Sequence, residues 1–129
     1  MTRRDSISIT PSGAAPAAAR AFLGRFASAS PTDLARLRLA ASELVTAAVR
    51  LRSEPEPVRI TASEDEGVVR VEVEAPAVDW SSGIQEQARR VLTGVCDRWG
   101  IVPSPPGAAG WFEITIEAVT DGEYRAGSS

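Results

Sequence analysis

One long amphipathic stretch in the first half of the chain constrains the fold more than any other feature. Ser30-Pro31-Thr32-Asp33 is typical of a helix start, with a capping serine, proline at the first helical position and a pairing that resembles a capping box. Apolar residues then recur at helical spacing: Leu34, Leu37, Ala41, Leu44, Val45 and Ala48. Pro55 and Pro57 cannot continue a helix. The sequence therefore predicts a helix from residue 31 to about residue 52 that buries one face.

The stretch after this helix predicts a β-hairpin. Val58, Ile60 and Ala62 alternate with polar residues, and Val69, Val71 and Val73 do the same beyond the acidic turn at 64–67. The remaining predicted elements are a strand at 6–10, a helix at 14–27, a helix at 84–99 that Gly100 ends, a short strand at 101–102, a loop at 103–110 and a strand at 111–119.

The order of these elements predicts the fold class. A hairpin supplies an antiparallel pair, and helices with one apolar face can cover one side of a sheet. We predict one α/β domain over residues 6–119, a two-layer sandwich whose mixed, mostly antiparallel sheet is covered on one face by about three helices. Residues 1–5 and 120–129 are expected to be flexible termini.

The composition excludes several kinds of function. The chain has no histidine, so it cannot hold a Ser-His-Asp or Cys-His catalytic site, and we predict no metal site. The net charge of -3 argues against direct nucleic-acid binding. No apolar run approaches the roughly 18 residues of a membrane span, and no secretion signal follows Met1. The single cysteine, Cys96, fits a reducing compartment and is read as a packing residue. We therefore expect a cytoplasmic protein.

Three stretches resemble the histidine-kinase-type ATPase domains of the GHKL superfamily, and more narrowly the actinobacterial anti-sigma-factor serine/threonine kinases. They are Ser42-Glu43-Leu44-Val45-Thr46 with Ala48-Val49-Arg50, then Val71-Glu72-Val73, then Asp97-Arg98-Trp99-Gly100 before Gly107 and Trp111-Phe112. The resemblance covers about residues 6–118 and implies the Bergerat-like fold. It also implies a sigma factor or an anti-anti-sigma protein as partner. A homodimer through the N-terminal strand and first helix is implied as well.

The same resemblance assigns roles to particular positions. In the family, a helical Glu activates water or the acceptor hydroxyl, and an Asn four residues later holds magnesium. An Asp after the hairpin binds adenine, and a Gly-rich lid at the next helix start cradles the phosphates. Here Glu43 matches the family Glu, but Ala47 stands in place of the Asn. Ala75 stands in place of the Asp, and Asp79 lies in another register. The lid positions read Glu86-Gln87-Ala88-Arg89, and Gly107 is followed by two alanines where the family often has Gly-Lys-Thr.

These departures imply a degenerate, pseudokinase-like regulator of transcription that binds a protein and has lost ATP and magnesium binding. Two alternatives stay open: a sensor of a small nucleotide-like ligand in the remodelled pocket, and an active ATP-dependent serine/threonine kinase with rearranged ligands. Trp80, Phe22 and Arg50 are candidate partner contacts. Several arginines are either a modest basic patch for an acidic partner or scattered solvated charge: Arg36, Arg38, Arg50, Arg52 and Arg59.

Overall fold

The computed structural model describes residues 3–25, 30–51, 57–75, 86–104 and 107–116. Within them the elements are β1 (Arg3–Ile9), α1 (Ala15–Leu23), α2 (Pro31–Leu51), β2 (Val58–Asp65), β3 (Val68–Ala75), α3 (Glu86–Val95), β4 (Arg98–Ser104) and β5 (Gly107–Thr115). The strands form one sheet in the order β1-β2-β3-β5-β4, and every neighbouring pair is antiparallel. The predicted two-layer α/β sandwich is confirmed, with a described sheet that is antiparallel throughout rather than mixed.

Helix α2 lies at the centre of the helical layer. It contacts α1 on one side and α3 on the other, and it also contacts strands β2, β3 and β5 below it. Its inward residues Leu37, Leu44 and Val45 are fully buried, as the helical spacing predicts. On β3, alternate residues from Val69 to Ala75 are buried against the helices, because side chains on a strand point to opposite faces in turn. None of the described helices is both long and apolar enough to cross a membrane.

The N-terminal strand lies at one edge of the sheet and is tied to α1. It begins at Arg3, which pairs with Glu64, so residues 3–5 belong to a strand and not to a flexible terminus. An ion pair of 2.7 Å joins Asp5 Oδ2 to Nη1 of Arg25, just after α1. The hydrogen bond from Arg25 holds the pKa of the Asp5 carboxyl below its usual value.

The third helix is shorter than the sequence predicts. It ends at Val95, and Trp99 and Gly100 lie in β4, so Gly100 is not the stop of a helix. Asp97 turns the chain into the sheet, since its backbone N–H donates to the carbonyl of Glu113 at 3.0 Å. Residues 101–102 therefore belong to a seven-residue strand, and β5 begins at Gly107 within the predicted loop. The last predicted residues of that strand, 117–119, lie outside the described part of the chain.

Gly100 has a packing role on the outer face of the sheet. It pairs with Trp111 across β4 and β5, and a Cβ atom at residue 100 would lie 3.1 Å from the indole Nε1. The indole therefore lies across the glycine, and the guanidinium of Arg70 stacks 4.3 Å from an indole ring centroid. Arg70 also bonds Glu113 at 3.0 Å, which fixes it over the ring.

Candidate functional site

Four residues of α2 form a stripe, here called the α2 flank: Arg36, Glu43, Ala47 and Arg50. They are spaced by seven, four and three residues, and such spacings place side chains on one side of an α-helix. Arg36 identifies the neighbour of this stripe, because its Nε and Nη2 donate to the carbonyl oxygen of Val95 at 3.1 and 2.8 Å. The Arg36 end of the α2 flank therefore lies against the end of α3.

Arg36 connects three parts of the fold. Its Nη1 pairs with Oδ1 of Asp33 at 3.2 Å, and its Nη2 lies 3.9 Å from Oδ1 of Asp97. Asp97 in turn accepts a hydrogen bond from the backbone N–H of Thr115 at 2.6 Å. The last carbonyls of a helix carry partial negative charge and lack intrahelical partners, so the guanidinium stabilises the end of α3. The sequence gives no sign of this role, since Val95 is 59 residues away from Arg36.

Glu43 and Ala47 occupy the centre of the α2 flank. Glu43 is half-buried, and in the part of the chain that the structure describes its carboxylate has no hydrogen bond or ion pair. Ala47 is also partly buried and packs against the hydrophobic core. Its methyl group cannot act as an oxygen ligand, the type that magnesium requires. One carboxylate therefore stands where the resembling family has a carboxylate and an amide.

The other positions that bind nucleotide in the resembling family lie on three different elements of this fold. Ala75 ends β3 and is 2% exposed, with no side-chain group that could accept a hydrogen bond from adenine. Glu86 begins α3, where it is exposed and pairs with Nη2 of Arg90 at 3.0 Å. Ala88, on the same first turn, faces the core at 8% exposure. Gly107 begins β5 opposite Ser104. Asp79 lies outside the described residues.

The residues present at these positions do not fit a magnesium-bound nucleotide. The lid positions form the first turn of a helix, and neither Glu86 nor Ala88 gives the backbone the freedom of glycine. An acidic side chain at this helix start also repels phosphate, although the backbone N–H groups of such a turn attract it. No step of a phosphoryl transfer can therefore be assigned to these side chains.

The candidate partner contacts differ in their accessibility. Phe22 is 3% exposed and packs in the core, with the guanidinium of Arg25 5.3 Å from its ring centroid. A ring this buried exposes little surface, and a contact between Phe22 and a partner stays a prediction. Arg50 is exposed in the last turn of α2. Trp80 lies outside the described residues.

The single cysteine is placed as a packing residue. Cys96 follows α3 and packs against the core beside Val95 and Trp99. Burial raises the pKa of its thiol to about 12, although the nearby Arg36 opposes that change. A thiol that stays protonated at neutral pH is a poor nucleophile and a poor metal ligand.

Comparisons with known proteins identify the fold but not a family. No protein-family model and no curated protein matches the chain. A crystal structure of the RsbU and RsbW domains of Rv1364c from Mycobacterium tuberculosis does match, with a TM-score of 0.72 and 20% sequence identity. The match covers 92% of this chain and 34% of that one, so this chain spans about a third of its length. At that identity the likeness establishes a shared fold alone.

Proposed function

We propose that this chain is a non-catalytic regulatory protein that acts by binding another protein, in the manner of an anti-sigma factor, without using ATP. The observation that carries the proposal is that Glu43 is followed, four residues later on the α2 flank, by Ala47. The helix keeps the carboxylate and the apolar face that build the fold, but the position that would hold magnesium ends in a methyl group.

The binding free energy lost with the missing contacts is large enough to abolish useful nucleotide binding, and not only to weaken it mildly. A hydrogen-bond partner to a buried or charged group contributes about 1–3 kcal/mol. This chain lacks three of the groups that bind nucleotide in the resembling family. Ala47 replaces the magnesium ligand, Ala75 replaces the adenine acceptor, and residues 86–89 contain no glycine. Three such losses total roughly 3–9 kcal/mol, and each 1.4 kcal/mol changes affinity about tenfold. A micromolar nucleotide site would weaken to at least about a hundred micromolar.

The proposed partners are a sigma factor or an anti-anti-sigma protein. The RsbW domain named in the matching structure and the sequence resemblance support this choice. Because transcription takes place in the cytoplasm, the proposal places the chain there. We also propose a homodimer through the N-terminal region, which the position of β1 at the sheet edge supports, since β1 pairs with β2 on one side only among the described strands.

Titration of the purified chain with each sigma factor and anti-anti-sigma protein of its source organism tests the proposal. We expect one of them to bind with an affinity that ATP and magnesium do not change, and no phosphate to reach a partner serine. The variant Glu43→Gln should bind equally well, because the carboxylate has no catalytic role. Binding that requires ATP, or phosphate transfer that Glu43→Gln abolishes, would instead show an active kinase.

A further inference from the structure

Two arginines on the outward side of the helical layer are held in place without a carboxylate. Nη1 of Arg20 donates to Oγ of Ser42 at 3.0 Å, which joins α1 to α2. Nε of Arg38 donates to the backbone carbonyl of Arg20 at 3.2 Å. Neither guanidinium forms an ion pair with a carboxylate anywhere in the described ranges. Neutral acceptors therefore hold both positive charges on the surface where α1 packs against α2.

The fold also determines where the Arg38 guanidinium lies. A Cβ atom at Gly24, the residue that ends α1, would lie 3.0 Å from Nη2 of Arg38. The absence of a side chain at this position leaves room for the guanidinium over the end of α1. The carbonyls at that end carry partial negative charge and attract it. The helix pair thus orients Arg38.

An exposed apolar side chain lies beside these charges. Leu39 is 43% exposed, and Val102 is the other large apolar side chain of comparable exposure in the described residues. On α2, Leu39 is three residues before Ser42 and four after the exposed Ala35, so all three are surface neighbours. We define the Arg20–Leu39 patch as Arg20, Ala35, Arg38, Leu39 and Ser42.

The charge of the helical layer is opposite to that of the whole chain. Within the described residues, the three helices carry six arginines and three carboxylates: Arg20, Arg36, Arg38, Arg50, Arg89 and Arg90 against Asp33, Glu43 and Glu86. The chain as a whole has a net charge of -3. Positive charge is therefore concentrated on the layer that bears the patch, which favours a negatively charged partner there.

We propose that the Arg20–Leu39 patch is a docking surface for an acidic amphipathic helix of a partner protein. Carboxylates of that helix would pair with Arg20 and Arg38, and an apolar side chain would cover Leu39. The inference deepens the proposed function and rests on it for the statement that the partner is a protein. The apolar contact beside the charges distinguishes such a helix from nucleic acid, whose phosphates would use the arginines alone.

The test uses a fluorescently labelled amphipathic peptide with glutamate and leucine at helical spacing, titrated by polarisation. Wild type should bind, and the double variant Arg20→Glu/Arg38→Glu should weaken binding at least about tenfold. Leu39→Ser should weaken it several-fold with the charges intact. Arg89→Glu, an exposed arginine on α3, is the matched control and should leave the affinity within about twofold, like other charges outside a contact. Because Arg38 also bonds α1, circular dichroism of each variant is compared first, and Arg20→Gln serves if the double variant unfolds.

If wild type and the double variant bind the acidic peptide equally well, the Arg20–Leu39 patch is not its docking surface. Tighter binding of a lysine–leucine peptide, or of a single-stranded oligonucleotide, overturns the acidic helix as its occupant. The same variants are then titrated with any sigma factor or anti-anti-sigma protein that wild type binds. If that partner binds the double variant normally, the patch is refuted while the proposed function stands. If no such partner binds but the peptide result holds, the proposed function fails while the patch stands.

Discussion

Arg36 offers the sharpest test of how the helical layer is held together. The substitution Arg36→Met keeps a long side chain of similar helix propensity but removes the charge and every donor. It leaves the carbonyl of Val95 without the two N–H groups at 3.1 and 2.8 Å. It also removes the 3.2 Å ion pair that Arg36 makes with Asp33, whose side chain is 13% exposed. Arg90→Met is a matched control, because Arg90 pairs with Glu86 on a helix surface where both side chains are more than 75% exposed.

The two substitutions should differ several-fold in cost. A hydrogen bond to a charged group contributes about 1.5–3 kcal/mol when the site is shielded from water. The Arg36 side chain is 32% exposed, so we expect a loss of roughly 2–3 kcal/mol in the free energy of unfolding, within that range. An exposed i,i+4 pair such as Arg90–Glu86 contributes only about 0.3–0.5 kcal/mol. At roughly 4 °C per kcal/mol for a chain of this size, Tm should fall by about 8–12 °C for Arg36→Met and about 2 °C for Arg90→Met.

Urea unfolding followed by circular dichroism measures both values. Hydrogen exchange adds the location, since the amides of α3 should exchange faster in Arg36→Met than in Arg90→Met if the lost contacts anchor that helix. Equal unfolding free energies for the two variants, or exchange in α3 that Arg36→Met does not change, would refute the assignment of Arg36 as the anchor of α3.

Three further predictions concern other contacts. Trp111→Phe should change the unfolding free energy by less than about 1 kcal/mol, because it removes a buried indole N–H that has no acceptor in the described structure. Gly100→Ala should cost about 1–3 kcal/mol, because the added methyl group displaces the indole. If urea unfolding showed the larger loss for Trp111→Phe, this packing would be contradicted. Arg25 lowers the pKa of Asp5, so the stabilisation from this ion pair is complete above the usual pKa of 3.8 and is lost as pH falls through the lower pKa of the folded state. In Asp5→Asn, the unfolding free energy should no longer fall with pH in that acidic range to the same extent. A pH profile identical to that of wild type would contradict this contribution of Asp5. Cys96, with its pKa raised to about 12, should react slowly with Ellman's reagent at neutral pH in the native state and promptly in urea, and prompt native reaction would show an accessible thiolate.

The elements with local signals are those that the sequence predicts well. The cap at Ser30 and the prolines after Arg52 define α2 within a residue at its C-terminal end. The hairpin follows from the alternation on both strands. Its turn is tighter than predicted, since only Glu66 and Gly67 separate β2 from β3. Both residues have positive φ, as a type I′ hairpin turn requires.

The elements that depend on distant contacts are those that the sequence predicts poorly. Val95 and Trp99 are four residues apart, a spacing that suits a continuing helix. The chain leaves the helix there because Asp97 bonds Glu113 and Thr115, which no local pattern reveals. The start of β5 is missed for a related reason: glycines and alanines from 107 to 110 carry no alternation of apolar and polar side chains.

The candidate site shows the same division. Glu43 and Ala47 lie four residues apart on α2, so the sequence alone predicts that they are neighbours on one side of that helix. Burial of Phe22 and the contact between Arg20 and Ser42 arise from the packing of α1 on α2. Such contacts depend on how two helices meet, and the spacing within either helix does not determine them.

Isothermal titration calorimetry with ATP and magnesium tests the central claim most directly. With Ala47 in place of a magnesium ligand, wild type should give no heat of binding at micromolar nucleotide, and Glu43→Gln should behave identically because the carboxylate has no metal to serve. A micromolar dissociation constant that requires magnesium and is lost in Glu43→Gln would contradict the account and show that the nucleotide site is functional.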